Sequence, residues 1–140
     1  MPDSCVFCRV VKGEIPSARI FESNSVIAFL DIAPAARGHA LVIPKKHFET
    51  ISDVPERDLR EMIVAVKNVA SAVVDAAEAD GFNIIQSNKQ VAGQVIPHVH
   101  FHIIPRKEGD DLSFEWEHIE LDKEELEALM KKVKSKIRKK

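Results

Sequence analysis

The chain has 140 residues, 45% of them hydrophobic and 30% charged, with a formal net charge of −2. That length predicts one domain around a single core, and the near-neutral balance gives no general attraction to nucleic acid or membranes. No apolar run reaches the roughly eighteen residues that span a bilayer, and the opening Met-Pro-Asp-Ser-Cys lacks the basic and apolar regions of a signal peptide, so a cytoplasmic protein is expected.

Taken in order, residues 4–12 predict a short helix, capped by Ser4 and stopped by Gly13, with Phe7, Val10 and Val11 on its apolar face. It carries Cys5-x-x-Cys8, which reads as a redox pair, half of a zinc site or coincidence. No strand runs into Cys5, so a thioredoxin-like pattern is missing, and no stable disulfide or redox cofactor is expected. Residues 18–22 and 26–30 predict a hairpin closed by Ser23-Asn24-Ser25. After a loop over 31–38, His39 to Ile43 predicts a strand whose consecutive apolar residues imply cover on both faces.

Asp53, Pro55 and Glu56 resemble a capping box with a helix-starting proline. Leu59, Met62, Ile63, Val66, Val69, Ala70, Val73 and Ala77 then recur at helical spacing, with Gly81 as the expected stop. Phe82 to Ser87 predicts another strand, and a polar loop over 88–94 follows. Beyond a charged loop from Lys107 to Asp111, a last helix is expected from about Asp122, with Leu126, Leu129, Met130, Val133 and Ile137 as its apolar stripe. Its end is cationic through Lys131, Lys132, Lys134, Lys136, Arg138, Lys139 and Lys140. With no aromatic platform beside it, this end reads as helix-terminal solvation rather than a nucleic-acid site. Two helices and about five mostly antiparallel strands make the class α+β, in a single domain over residues 1–140. Trp116 and His118 are assigned nothing.

The chemistry concentrates in His98-Val99-His100-Phe101-His102-Ile103-Ile104-Pro105-Arg106. Alternate strand residues share a face, so the three histidines oppose a core face of Val99, Phe101 and Ile103. Imidazole nitrogens need partners, so the histidine face must meet water, a metal or a substrate. One ion held by all three histidines fits poorly, since the outer two sit about 6.6 Å apart along a strand. A division of labour fits better. Pro105 is expected to end the ladder.

This segment resembles the histidine-triad motif of the HIT superfamily. Gly93-Gln94, Asp31-Ile32-Ala33-Pro34, Gly38-His39-Ala40-Leu41-Val42-Ile43-Pro44-Lys45 and the opening Cys5-Val6-Phe7-Cys8 with Gly13-Glu14-Ile15-Pro16 are similar to family signatures in the family's order. The likeness runs from about residue 4 to 106, with residues from about 120 to 140 as a helical extension, and is nearest to the Hint-like branch of nucleoside phosphoramidases. It implies a HIT-like fold, a homodimer whose two sheets join into one of about ten strands, and a purine nucleotide as substrate.

The resemblance further implies that His100 is the nucleophile, attacking the α-phosphorus to form a covalent nucleotidyl-histidine that water then hydrolyses, with release of AMP or GMP. His102 and His39 would line the phosphate site, with His98 completing the catalytic set. Gln94 would donate to the bridging or attacking oxygen, and Asn88 lies in the equivalent polar loop, which is one residue shorter here. Asp31 would accept both ribose hydroxyls, its plainer reading being a turn cap. Phe7, Val10, Ile15, Phe29 and Ile32 would hold the base, although each taken singly reads as core. In zinc-bearing relatives the positions of Cys5, Cys8, His47 and His98 supply the ligands, which implies a structural Zn²⁺. Val95 departs from the pattern, because relatives carry Ser or Thr there to hydrogen-bond the leaving group. Alternatives to the phosphoramidase reading are cleavage of dinucleoside polyphosphates and a nucleotide-binding scaffold with incidental activity. Nucleotidyl transfer to a sugar phosphate is disfavoured by the short chain.

Overall fold

The computed structural model describes residues 2–137. Arg138, Lys139 and Lys140, part of the expected cationic end, lie outside the described residues. Five strands form one antiparallel sheet in the order β1-β2-β3-β5-β4: β1 (Arg19–Glu22), β2 (Val26–Leu30), β3 (Ala40–Pro44), β4 (Gly81–Ile85) and β5 (Phe101–Arg106). Helix α1 (Val6–Val11) lies against one face and α2 (Glu56–Ala77) against the other, while α3 (Lys123–Lys136) closes the described chain. No helix of the described residues is long and apolar enough to cross a membrane.

Strand alternation divides the core in two. Val26, Ala28, Ala40, Val42, Val99, Phe101 and Ile103 pack under the buried stripe Met62, Val66, Val69, Ala70 and Val73 of α2. Ile27, Phe29, Leu41 and Ile43 face the other way, onto Phe7, Cys8 and Val10 of α1. β3 is thus covered on both faces, as its sequence predicts, and the histidine side of β5 faces the α1 layer. Gly38, just before β3, has φ +91, and a Cβ there would stand 3.3 Å from both Ala77 and Pro105. Its missing side chain lets the loop that delivers His39 press onto the helix end.

Several boundaries differ from the sequence expectation. The cap of α1 is Cys5 rather than Ser4, because the Cys5 sulfur accepts the Cys8 N–H at 3.4 Å. Asp53 caps backwards: its carboxylate accepts from the backbone N–H of Thr50 at 3.1 Å in a preceding 3₁₀ turn, and Pro55 occupies the cap of α2. That helix stops at left-handed Glu78, whose N–H and that of Ala79 return to Asp75 and Val74, which leaves Gly81 to open β4. Pro105 does not end the ladder. It pairs with Phe82 where β5 has only β4 beside it, so its missing N–H deprives no second neighbour. The ladder instead begins at Phe101, and residues 98–100 form its lead-in. Helix α3 carries the expected Asp122–Glu125 capping box, yet its apolar stripe is exposed along its whole length.

Candidate active site

His98, His100 and His102 point to the α1 side, as the alternation predicts, but meet different surroundings. His100 is buried, with its ring edge-on to Phe7 at 5.1 Å between centroids. Its Nδ1 lies 2.7 Å from the carbonyl oxygen of His98. A carbonyl can only accept, so Nδ1 carries the proton and Nε2 keeps its lone pair. Burial also holds the ring below its ordinary pKa, which favours that neutral form.

His100 and His102 line a cavity of about 460 Å³ together with Phe7, Val10, Ile15, Phe29, Asp31 and Ile32. All five residues expected to hold the base therefore border the cavity that the two histidines share. Ile32 is almost fully exposed at its mouth.

A second chain of hydrogen bonds fixes His102. The Ala35 N–H donates to His39 Nδ1 at 2.9 Å, so His39 carries its proton on Nε2. That N–H donates to His102 Nδ1 at 3.0 Å, so His102 carries its own proton on Nε2. Burial, with the nearby His100 and His39 rings, pushes His102 down to about 4, so it is a neutral donor at ordinary pH. His39 does not border the cavity, and its Nε2–H ends on His102. Asp31 uses Oδ1 to accept the Ala33 N–H at 2.9 Å, a turn cap, and keeps Oδ2 3.6 Å from His39 Nε2.

His98 sits elsewhere. It is fully buried, its Nε2–H donates to the Pro44 carbonyl at 2.9 Å, and its Nδ1 lone pair faces two sulfurs. Cys5 Sγ lies 3.4 Å and Cys8 Sγ 3.6 Å from that nitrogen, Cys8 Sγ lies 3.3 Å from His47 Nδ1, and the two Nδ1 atoms are 3.2 Å apart. Around a tetrahedral zinc ion, bonds of about 2.0–2.3 Å give ligand-to-ligand edges of about 3.3–3.8 Å. The donor set and spacing therefore fit one tetrahedral ion. Both cysteines are free, and burial beside Cys5 pushes the Cys8 thiol up to about 11, which a coordinated cation would reverse.

Gln94 and Asn88, like His39 and His98, are not brought to the cavity. Gln94 is buried, its Oε1 accepting the Lys89 N–H at 2.7 Å and its Nε2 donating to the Glu49 carbonyl at 2.6 Å. Asn88 accepts the Ile51 N–H at 2.8 Å and pairs with Gln86. Sequence reasoning also missed the groups that set the tautomers, the Ala35 amide and the carbonyls of Pro44 and His98, because backbone groups leave no residue signature. It missed Lys89 as well, whose φ of 74 and ψ of 154 fall where residues other than glycine cost about 1–3 kcal/mol.

The HIT domain family matches residues 12–109. An adenosine 5'-monophosphoramidase of Schizosaccharomyces pombe is 39% identical over 136 residues, 96% of this chain and 99% of that protein. The crystal structure of a member of the HIT family from Bacillus subtilis superposes with a TM-score of 0.92 at 34% identity, covering 99% of this chain and 100% of that one. A zinc-bound histidine triad family protein from Mycobacterium smegmatis does so with a TM-score of 0.75 at 36% identity, covering 94% and 96%.

Proposed function

The chain belongs to the HIT domain family, and on that premise we propose that it is a nucleotide hydrolase releasing AMP or GMP from phosphoramidates or nucleotidyl adducts through a covalent intermediate on His100. The observation that carries this reading is the His100 tautomer: Nδ1–H tied to the His98 carbonyl leaves a neutral, nucleophilic Nε2 at a cavity of nucleotide size. The phosphoramidase relative in fission yeast supports the reaction class.

In this reading the base lies among Phe7, Val10, Ile15, Phe29 and Ile32, and Asp31 turns its free oxygen to the ribose hydroxyls. His100 Nε2 attacks the α-phosphorus as the bond to the leaving group breaks, and the departing atom takes a proton from solvent. Water then attacks, the histidine–phosphorus bond breaks, and that proton returns to solvent. The His102 Nε2–H donates to a phosphate oxygen, with His39 fixing its tautomer, so charge developing on phosphorus meets a preset donor. His98, Gln94 and Asn88 act from behind. The His98 carbonyl orients the nucleophile, while the two amides brace the loop over 88–94. An apolar slot discriminates weakly between adenine and guanine.

Cys5, Cys8, His47 and His98 would hold a structural Zn²⁺, an assignment supported by the fit of the donor spacing and by the zinc-bound mycobacterial relative. The ion would tie α1 to the start of the catalytic strand. We further propose a cytoplasmic homodimer that pairs copies along β4, the sheet edge where Phe82 and Ile84 are exposed. Side-by-side incubation with AMP-lysine, Ap3A and Ap4A, reading AMP release, tests the function. Fastest release is expected from the phosphoramidate. Faster cleavage of a dinucleoside polyphosphate would favour that alternative, and release from none would leave a nucleotide-binding scaffold.

A further inference from the structure

Away from the histidines, a cavity of about 370 Å³ lies between the last turns of α2 and the strands β1 and β2. Its size is that of a small-molecule pocket. Ala72, Val73 and Ala76 of α2 face Ile20 and Leu30 across it, and those two remain 44% and 37% exposed, so nothing in the chain covers the slot. Among the described residues, Arg37 supplies the only charged side chain of the lining.

Two features set this slot apart from bare helix surface. The pairing of β1 with β2 slips between Arg19 and Phe21, a bulge on the edge strand. In a regular strand Ile20 and Phe21 would point to opposite faces. The bulge instead lets both lie on the α2 side, while Arg19 turns to the α1 side and donates to the Val10 carbonyl. The second feature is Arg37, whose guanidinium has no hydrogen-bond or ion-pair partner among the described residues. It also borders an adjoining hollow, where Lys107 and Asp111 offset each other in charge and Asp110 is engaged by Arg106. The unmet demand is therefore for one negative charge at the mouth of an apolar slot.

We propose that this cavity binds a medium-chain fatty carboxylate, its alkyl tail between Ile20, Leu30 and the alanines of α2 and its head on Arg37. A planar guanidinium grips a carboxylate through two parallel hydrogen bonds. The small side chains of Ala72 and Ala76 leave the width of an alkyl chain beside the helix, and burying that chain supplies the affinity. Leu30 also lines the histidine cavity, so the two cavities share one wall without opening on the same groups. The site is independent of the chemistry at His100 and stands whichever nucleotide that cavity takes.

Titration calorimetry of the full chain with hexanoate, octanoate and decanoate, each below its micelle concentration, tests the site. Affinity should rise by up to about fourfold for each added methylene, and decanoate should bind about fivefold tighter than decanol, as an exposed charge pair allows. Arg37→Gln should erase the advantage over decanol and keep the dependence on chain length. Ala76→Phe, at an exposed helix position, fills the slot and should abolish binding of every chain, while AMP binding by both variants stays at the wild-type level. Saturating AMP should leave decanoate affinity unchanged. Displacement of decanoate by AMP would put the tail in the histidine cavity and overturn the site. Affinities that ignore chain length, or that both variants leave unaltered, would overturn it as well.

Discussion

His98 and His100 sit two residues apart on one face of one strand, yet the fold gives them opposite environments. His98 has no exposed surface and engages both ring nitrogens, one with a carbonyl and one with two sulfurs and a histidine. His100 engages one nitrogen and leaves the other free at a cavity wall. The difference comes from what covers the strand. The N-terminal turn lays Cys5 and Cys8 over His98, while the edge of Phe7 and the end of α1 leave room beside His100. Identical side chains at regular spacing therefore meet different surroundings: the first is enclosed beneath the α1 layer and the second borders the cavity.

Removing each histidine should separate the two roles. The largest effect is expected from His100→Ala, with kcat falling on the order of 10⁴-fold, as when a nucleophile is lost. Nucleotide affinity should stay close to wild type, while the unfolding midpoint falls by a few degrees because the deleted ring is buried against Phe7. Single-turnover assays alongside nucleotide titration measure the split. Near-normal turnover by this variant would remove His100 from the mechanism.

At the His98 end the balance should reverse. Protein purified without a histidine tag or added zinc is expected to contain close to one zinc per chain. Chelation, or Cys8→Ser, should lower the unfolding midpoint by about 10 °C, corresponding to about 3 kcal/mol for a domain of this size. His98→Ala should cost similar stability. It retains the backbone carbonyl that orients His100, so activity per folded molecule should fall less than about tenfold. Metal analysis and thermal scans with and without chelator provide the check, and zinc near zero in reduced, folded protein would overturn the assignment.

How much of this was legible follows from which atoms carry it. The alternation of Val99, Phe101 and Ile103 against the histidines named the two faces, and the consecutive apolar residues of β3 announced its double cover. The motif resemblance drew Asp31, His39 and the cysteines toward the same strand. It could not say that Gln94 spends its amide on Glu49 and Lys89, since that depends on how the loop over 88–94 closes. Nor does a sequence reveal a lysine at φ 74 or an aspartate that caps backwards. Tautomers were out of reach for the same reason, being set by carbonyls and amides that every residue possesses.

The smallest expected effect concerns protonation at the cavity end. Burial and the neighbouring His100 and His39 rings hold His102 at about 4, against an ordinary value of 6.5, while the Asp31 carboxylate works weakly in the opposite direction. Between those two values the unfolded chain binds a proton that the folded protein refuses, so stability falls as the pH drops from about 6.5 to about 4. Above 6.5 both states are neutral at this residue, and below 4 both are charged, so its contribution is flat outside the window. The full displacement corresponds to at most about 3 kcal/mol. In His102→Asn, whose side-chain oxygen can still accept from His39 Nε2–H, the acid limb should be shallower by up to that amount. The sulfur–histidine cluster also loses ligands to acid, but it does so equally in both proteins, so the difference between their stability curves isolates His102. Denaturant unfolding at half-unit steps from pH 7.5 to 4 reads that difference directly, and superimposable curves would mean that His102 titrates in the folded protein as it does in the unfolded chain.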